Sequence, residues 1–150
     1  MPEPSGNAAK VIAGMYASWD KGDIDKANSY WHDQVKIVAH GSRKNTGIPF
    51  LGTFTTSKAS FDALISSVQW NKFSCDEYLT VEDDANKVIT KGIWGGIVLG
   101  KDGNPVQDAS FECSWVDIFN VENGRIANVE SFFDTAAILK AFSIAKVASS

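Results

Sequence analysis

The residue with most chemical promise in this 150-residue chain is Asp117. Between residues 107 and 121 the odd positions read Ala109, Phe111, Cys113, Trp115, Asp117, Phe119 and Val121, while the even ones begin Asp108, Ser110, Glu112 and Ser114. Alternation with period two describes a strand with one buried face, and Asp117 is the carboxylate that interrupts the apolar row. A carboxyl group there loses hydration, which disfavours its charged form and moves it towards the range of an acid or base working near neutral pH. The plainer alternative is an Asp117 near the sheet rim, solvated or paired with a lysine or arginine.

What faces Asp117 depends on the turn at Asn123-Gly124. A two-residue type I′ turn sets Glu130 opposite it, giving two carboxylates able to share a proton. A three-residue loop with Gly124 in the left-handed conformation pairs Val121 with Arg125 and sets Val129 opposite it. The second register is preferred because it puts Ala127, Val129, Ser131 and Phe133 on the face of Trp115 and Asp117, whereas the first brings Asn128 and Glu130 into that face. Glu130 then points to the other side of the sheet, towards a subunit interface. His40, at the end of the first strand, is placed where the wall of a hollow meets its mouth and is a candidate ligand contact. His32, beside Asp33, reads as a surface corner. The chain carries five Trp and nine Phe, more rings than a simple core needs, and Tyr16, Trp19, Trp94, Trp115 and Phe119 are the candidates for an apolar lining.

The elements that must position these groups follow from periodicity. Val11, Ile12, Met15, Tyr16 and Trp19 recur at helical spacing before Gly22. Asp23 can cap a second helix carrying Ile24, Ala27, Tyr30 and Trp31. A strand from Val35 to His40, a loop from Gly41 to Pro49 and a third helix from near Ser57 or Ser60 come next, the helix presenting Phe61, Leu64, Ile65 and Val68. From residue 70 the period changes to two. Phe73, Cys75, Leu79 and Val81 mark one strand, Val88 to Leu99 a bent central one containing Gly92, Gly95 and Gly96, and Gln107 to Val121 and Arg125 to Phe133 the last two. Asp134 is placed to cap a closing helix with Ile138, Leu139 and Phe142. Helices segregated against an antiparallel sheet make an α+β domain, expected over residues 8–143 with tails at 1–7 and 144–150. Helices on the concave side of a curved sheet leave a hollow suited to a ligand.

Composition removes several classes. With 14 Lys and Arg against 18 Asp and Glu, net charge −4 and no basic run, the chain offers no footprint for nucleic acid or an anionic membrane. No stretch of eighteen apolar residues and no leader-like start occur, so a cytoplasmic protein is expected. Cys75 and Cys113 lack partners at metal-binding spacing and read as buried free thiols. No metal or organic cofactor is implied.

Three motifs, Trp19-Asp20-Lys21-Gly22-Asp23-Ile24, Asn123-Gly124-Arg125-Ile126 and Ser131-Phe132-Phe133-Asp134, resemble in order and spacing the SnoaL-like and ketosteroid-isomerase-like members of the nuclear transport factor 2-like superfamily, over about Ala8 to Phe142. The resemblance implies a cone-shaped, cystatin-like α+β fold, a homodimer, and an apolar pocket used for isomerisation, aldol-type cyclisation, epoxide hydrolysis or ligand binding without a cofactor. It also shows departures. The isomerase's general-base aspartate falls on Ala39, one residue before His40. Its oxyanion tyrosine falls on Met15; Tyr16 is one step along, turned by about 100° on a helix, and is not expected to substitute. The essential aspartate of the cyclases and epoxide hydrolases falls on Ser131, and the hydrolases' middle-strand arginine and aspartate have no counterpart near Gly92, Ile93 and Trp94. Asp117 is similar in place to a pocket histidine of the cyclases and, with one extra residue in the hairpin turn, to the protonated oxyanion-hole aspartate of the isomerase. The expected function is proton transfer on an apolar carbonyl-bearing or polycyclic molecule, with Asp117 as acid or base and His40 and Ser131 as hydrogen-bonding partners. The alternative is a non-catalytic domain for apolar-ligand binding or dimerisation.

Overall fold

The computed structural model describes residues 6–149; residues 1–5 and 150, in the two expected tails, lie outside the described part. In chain order the elements are α1 (Asn7–Asp20), α2 (Ile24–Ser29), β1 (Trp31–Ala39), α3 (Arg43–Thr46), β2 (Gly52–Phe54), α4 (Ser57–Ser67), β3 (Val68–Val81), β4 (Asp84–Leu99), β5 (Pro105–Glu122), β6 (Arg125–Phe133) and α5 (Thr135–Ala148). The strands form one curved sheet in the order β2-β1-β6-β5-β4-β3. Its pairs are antiparallel except β1 with β6, which run parallel. Among the described residues no helix is long and apolar enough to cross a membrane.

Helix α1 buries Ala8, Ala9, Ile12, Met15, Tyr16 and Trp19, a stripe at i, i+3 and i+4 spacing that lies on the sheet. The Asp23 carboxylate caps α2, accepting from the Lys26 N–H at 3.1 Å. That helix is shorter than its pattern suggests. Sheet pairing captures the next segment: the Ile126 N–H donates to the Tyr30 carbonyl at 2.8 Å, and Trp31 opens β1 opposite Ile126. Local propensity therefore yields to a tertiary ladder at Tyr30 and Trp31. The segment read as a loop, Gly41 to Pro49, holds the short α3, capped by Ser42, and the three-residue β2 follows it at the sheet edge. Thr56 rather than a later serine caps α4.

Two corrections concern the C-terminal half. Asp134 stands at the N-terminus of α5, but its side chain makes no capping hydrogen bond; its backbone N–H is tied to the Ser114 carbonyl at 3.1 Å. Helix α5 also continues past the boundary expected at residue 143, through a buried Ala145. Phe50 then meets Trp94, Phe133 and Phe142 edge-on, joining α5 to the inner face of the sheet.

The β5–β6 hairpin differs from both sequence alternatives. Asn123 and Gly124 both have positive φ, 51° and 77°, and Glu122 pairs with Arg125, so the turn is the two-residue type that Asn-Gly favours. The register then shifts by one, with Val121 opposite Ile126 but Asn120 opposite Asn128. Ala127 is the extra residue of a bulge. The bulge reconciles two demands. The turn chemistry is satisfied, Ile126 and Val129 are both buried, and Glu130 stays outside. The partner of Asp117 is neither Glu130 nor Val129 but Ser131. The inner face still carries Val129, Ser131 and Phe133, as polarity indicated.

Candidate active site

The sheet's inner face, α1 and α4 enclose a cavity of about 110 Å³. Met15, Tyr16 and Trp19 come from α1, Ser60, Phe61 and Leu64 from α4, Trp31 and Ile37 from β1, and Phe73 and Trp94 from β3 and β4. Strand β5 supplies Trp115, Asp117 and Phe119, and β6 supplies Val129, Ser131 and Phe133. One local feature lets the rings close so tightly. At Gly92 a Cβ would stand 1.7 Å from the Ser74 carbonyl oxygen and 2.8 Å from the Trp115 ring, so only glycine allows the indole to lie across β4 while β3 pinches in. Trp115 then stacks on Phe73 at 5.5 Å and 9° and touches the ring of Tyr16.

Within this apolar lining Tyr16 and Ser131 converge on one carboxyl. Asp117 lies between Thr90 of β4 and Ser131 of β6 in the sheet. The Tyr16 hydroxyl donates to Asp117 Oδ2 at 2.6 Å and lies 2.9 Å from Thr90 Oγ1. Since the tyrosine proton is committed to the carboxylate, Thr90 donates to the tyrosine oxygen. Burial pushes the Asp117 carboxyl up to about 6, against hydrogen bonds from Tyr16 and Ser131 that stabilise its anion. The residue is half-buried and opens on the cavity, and the hydration it loses outweighs these two hydrogen bonds. The Tyr16 hydroxyl is raised well above its ordinary value, first by burial and then by the Asp117 charge. At neutral pH the pair is therefore an ionised carboxylate of unusually high proton affinity with a neutral donor fixed against it. Such a carboxylate can take a proton from carbon or oxygen and return it.

The sequence candidates divide cleanly. Asp117, Ser131, Tyr16, Trp19, Trp94, Trp115 and Phe119 all line the cavity. His40 does not join them. It follows Ala39, which is buried on the inner face, and alternation turns the next side chain outward. There its Nε2 lies 3.4 Å from Glu130 Oε1 and its ring stacks on Phe132 at 4.3 Å and 10°. His32 is at the end of the sheet, with Nε2 2.7 Å from the Glu122 carbonyl oxygen. Two residues escaped sequence reasoning: Thr90, and Tyr16 as a partner of Asp117. The one-step rotation from Met15 does not exclude Tyr16, because an inward helix face spans 100° or more and holds both residues. The signal was present in the i, i+4 relation of Ile12 to Tyr16. Cys75 and Cys113 are buried free thiols, each pushed up to about 11 by burial. Among the described residues no group of three His, Cys, Asp or Glu side chains stands together as a metal site.

The family pattern of SnoaL-like polyketide cyclases matches residues 9–142. The chain belongs to this family. No curated protein matches the sequence. Among solved structures, an NTF2-like protein from Burkholderia thailandensis is similar with a TM-score of 0.72 at 20% identity, over 91% of this chain and 97% of the other. A second NTF2-like protein, from Burkholderia xenovorans, gives 0.70 at 18% identity over 93% and 98%. TerC, co-crystallised with polyporic acid, gives 0.66 at 17% identity over 92% and 99%. At these identities the likeness is one of fold. SnoaL-like membership and fold thus agree, and the carboxyl that lines the cavity is that of Asp117, with Ala39 and Ser131 at the positions where the resemblance implies aspartates.

Proposed function

We propose that this SnoaL-like protein is a small-molecule enzyme that moves a proton on an apolar, carbonyl-bearing substrate, in an isomerisation or cyclisation, with Asp117 as the base. The observation that carries the proposal is the single carboxylate buried in an aromatic cavity, 2.6 Å from a tyrosine hydroxyl and with its proton affinity raised to about 6. Ionised Asp117 takes a proton from the carbon next to a carbonyl, and the electron pair of that C–H bond moves into the C=O group to give an enolate. Protonated Asp117 returns the proton at another carbon, or the enolate carbon adds to a second carbonyl whose oxygen takes the proton back from Asp117. Ser131 and Tyr16 hold the carboxylate in position and keep it ionised. The pocket's apolar wall excludes water and selects hydrophobic substrates.

The test is deuterium incorporation into the ketone 2-indanone in D2O, followed by NMR. The enzyme accelerates it, and Asp117→Asn removes the acceleration. A wild-type rate equal to that of Asp117→Asn refutes the reading and favours a binding domain, the alternative that the residues at Ala39 and Ser131 recommend.

The chain also forms a homodimer through the outer face of the sheet in this proposal. That face exposes Phe132 and Leu79, 41% and 48% accessible, among half-buried Val38, Ile89, Val116 and Ile118. Analytical ultracentrifugation should show a dimer that Phe132→Asp dissociates; a monomeric wild type refutes it.

A further inference from the structure

Strand β4 buries one hydroxyl that the proton transfer does not touch. Val88, Thr90, Gly92 and Trp94 are its buried positions around the site, and Thr90 is fully inaccessible. Valine has the same branched shape and would fill that place without a polar atom, whereas a buried hydroxyl is costly unless it finds a partner. The partner of Thr90 is the Tyr16 oxygen at 2.9 Å. Sheet pairing brings the group to the site: Thr90 stands opposite Asp117 on β5, and Asp117 stands opposite Ser131 on β6. The carboxyl therefore has a hydroxyl residue on each neighbouring strand. Ser131 bonds it directly, and Thr90 reaches it through the phenol of α1.

This placement decides where one proton goes. The Tyr16 ring is held by Phe73, Trp115 and Phe119, with centroids 5.3, 5.5 and 5.9 Å away, but a phenol O–H turns about its C–O bond and can point at either of two acceptors. With Asp117 ionised, the carboxylate at 2.6 Å takes the phenol proton, and the phenol oxygen keeps a lone pair that Thr90 fills as donor. Donation into that oxygen makes the phenol a better donor in turn. Burial and the Asp117 charge raise the proton affinity of Tyr16, and the Thr90 bond lowers it. A chain of donors that ends on a carboxylate is charge-assisted, whereas the same chain around the neutral acid is not, so Thr90 favours the Asp117 anion through Tyr16. The titratable groups that act on the pair from other elements reduce to Cys75 of β3. Burial pushes that thiol up to about 11, and it stays neutral while Asp117 titrates. Neither α4, β1 nor β6 brings a charged side chain to the cavity wall.

We propose that Thr90 is a positioning residue for the acid–base pair: its hydroxyl donates to the Tyr16 oxygen, which commits the phenol proton to Asp117 and keeps that carboxylate ready to act as the base. The inference rests on Asp117 being the base of the proton transfer put forward above. It gives the hydroxyls of the site one direction, from Thr90 to Tyr16 to Asp117, with Ser131 donating to the same carboxylate. The phenol proton is then engaged throughout, and the proton that returns to the substrate comes from Asp117.

The experiment follows the Asp117 titration in the full chain in two ways, by ¹³C NMR of its carboxyl without substrate and by the pH dependence of deuterium exchange into 2-indanone. Thr90→Val replaces the hydroxyl with a methyl of like size. It should move both titrations upward by roughly half a pH unit, the share of one relayed hydrogen bond. Exchange should then slow about threefold below the limb while the plateau above it stays within about twofold. Thr90→Ser, which restores the hydroxyl, should return both titrations to the wild-type position. In a Tyr16→Phe background Thr90→Val should add no further shift, because the relay is already cut. A purely structural role would lower the plateau or the melting temperature and leave the titration where it was. A carboxyl titration that stays in place or moves down in Thr90→Val, that Thr90→Ser does not restore, or that adds to the shift of Tyr16→Phe overturns the inference. Wild-type exchange no faster than that of Asp117→Asn, with the carboxyl titration shifted as expected, refutes the proton-transfer reading and leaves the relay standing. Exchange that depends on Asp117 with a carboxyl titration indifferent to Thr90→Val does the reverse.

Discussion

Consecutive residues of β6 serve two different electrostatic environments. Ser131 faces inward, where Asp117 is enclosed by rings and its proton affinity climbs to about 6. Glu130 faces outward and meets His40 at 3.4 Å, with the two side chains 53% and 44% accessible. By residue type the outer pair is the more promising of the two, a histidine beside a carboxylate. The inner group is the one whose proton affinity is shifted, because water screens and hydrates the outer charges but is largely kept from the inner one. Proximity of titratable groups is thus a poor guide to a site unless the faces of the sheet are first told apart.

The largest effect that bears on this contrast is loss of the inner carboxylate. Asp117→Asn should lower the rate of deuterium exchange into 2-indanone at least about 100-fold, the lower end of what a positioned general base contributes. The next concerns pH. A base must be ionised, so exchange should rise with pH through about 6 and level off above it. The Tyr16 hydrogen bond favours the Asp117 anion; Tyr16→Phe should therefore move that limb to higher pH. A limb that moves down, or stays in place, breaks the link between the two residues.

Stability should respond in a window that the same group defines. The folded-state value of about 6 lies above the ordinary carboxyl value of 3.8, so the folded protein binds this proton more tightly than the unfolded chain does. The stabilisation it gives is complete below about pH 4 and is lost as pH rises through 6. Asn at 117 has no charge to bury. Asp117→Asn should gain on the wild type between pH 4 and 6 and be more stable at pH 7, by an amount on the order of 3 kcal/mol, as read from thermal unfolding at both pH values. A constant difference across that range rejects the buried carboxylate. A gain in stability with a loss of activity is the usual signature of a group kept for function.

Much of this arrangement was legible in the residues themselves. The break in the odd row of β5 identified Asp117, and polarity alone assigned the correct face to Ser131 and Phe133. What stayed hidden depended on choices that a local pattern does not record. The bulge at Ala127 arises because the two-residue turn, which sets Ile126 opposite Val121, must coexist with a buried Val129, and either alone would give another register. Trp31 left its helix because β6 offered a backbone partner. Thr90 became part of the site only through the pairing of β4 with β5, and nothing in the apolar run around it marks a single hydroxyl as significant. His40 was misplaced by one residue of alternation, the smallest possible error along a strand and the one with the largest consequence.

The smallest expected effect tests that last point. His40→Gln and Glu130→Gln remove the outer pair without changing side-chain size much, and neither residue touches the cavity wall. Surface changes of this kind shift energies by no more than about 0.5 kcal/mol, which corresponds to a change of about twofold in rate. Exchange into 2-indanone should therefore stay within that margin, and the limb at about 6 should keep its place. The position of the limb is the sharper readout, because an ordinary histidine titrates near 6.5 and could mimic it. If His40→Gln abolished the limb, the titrating group would be on the outer face, and the division between the dry and the hydrated side of β6 would fail. If the limb survives His40→Gln and moves with Tyr16→Phe, the titration belongs to Asp117, and the outer pair has no part in the chemistry.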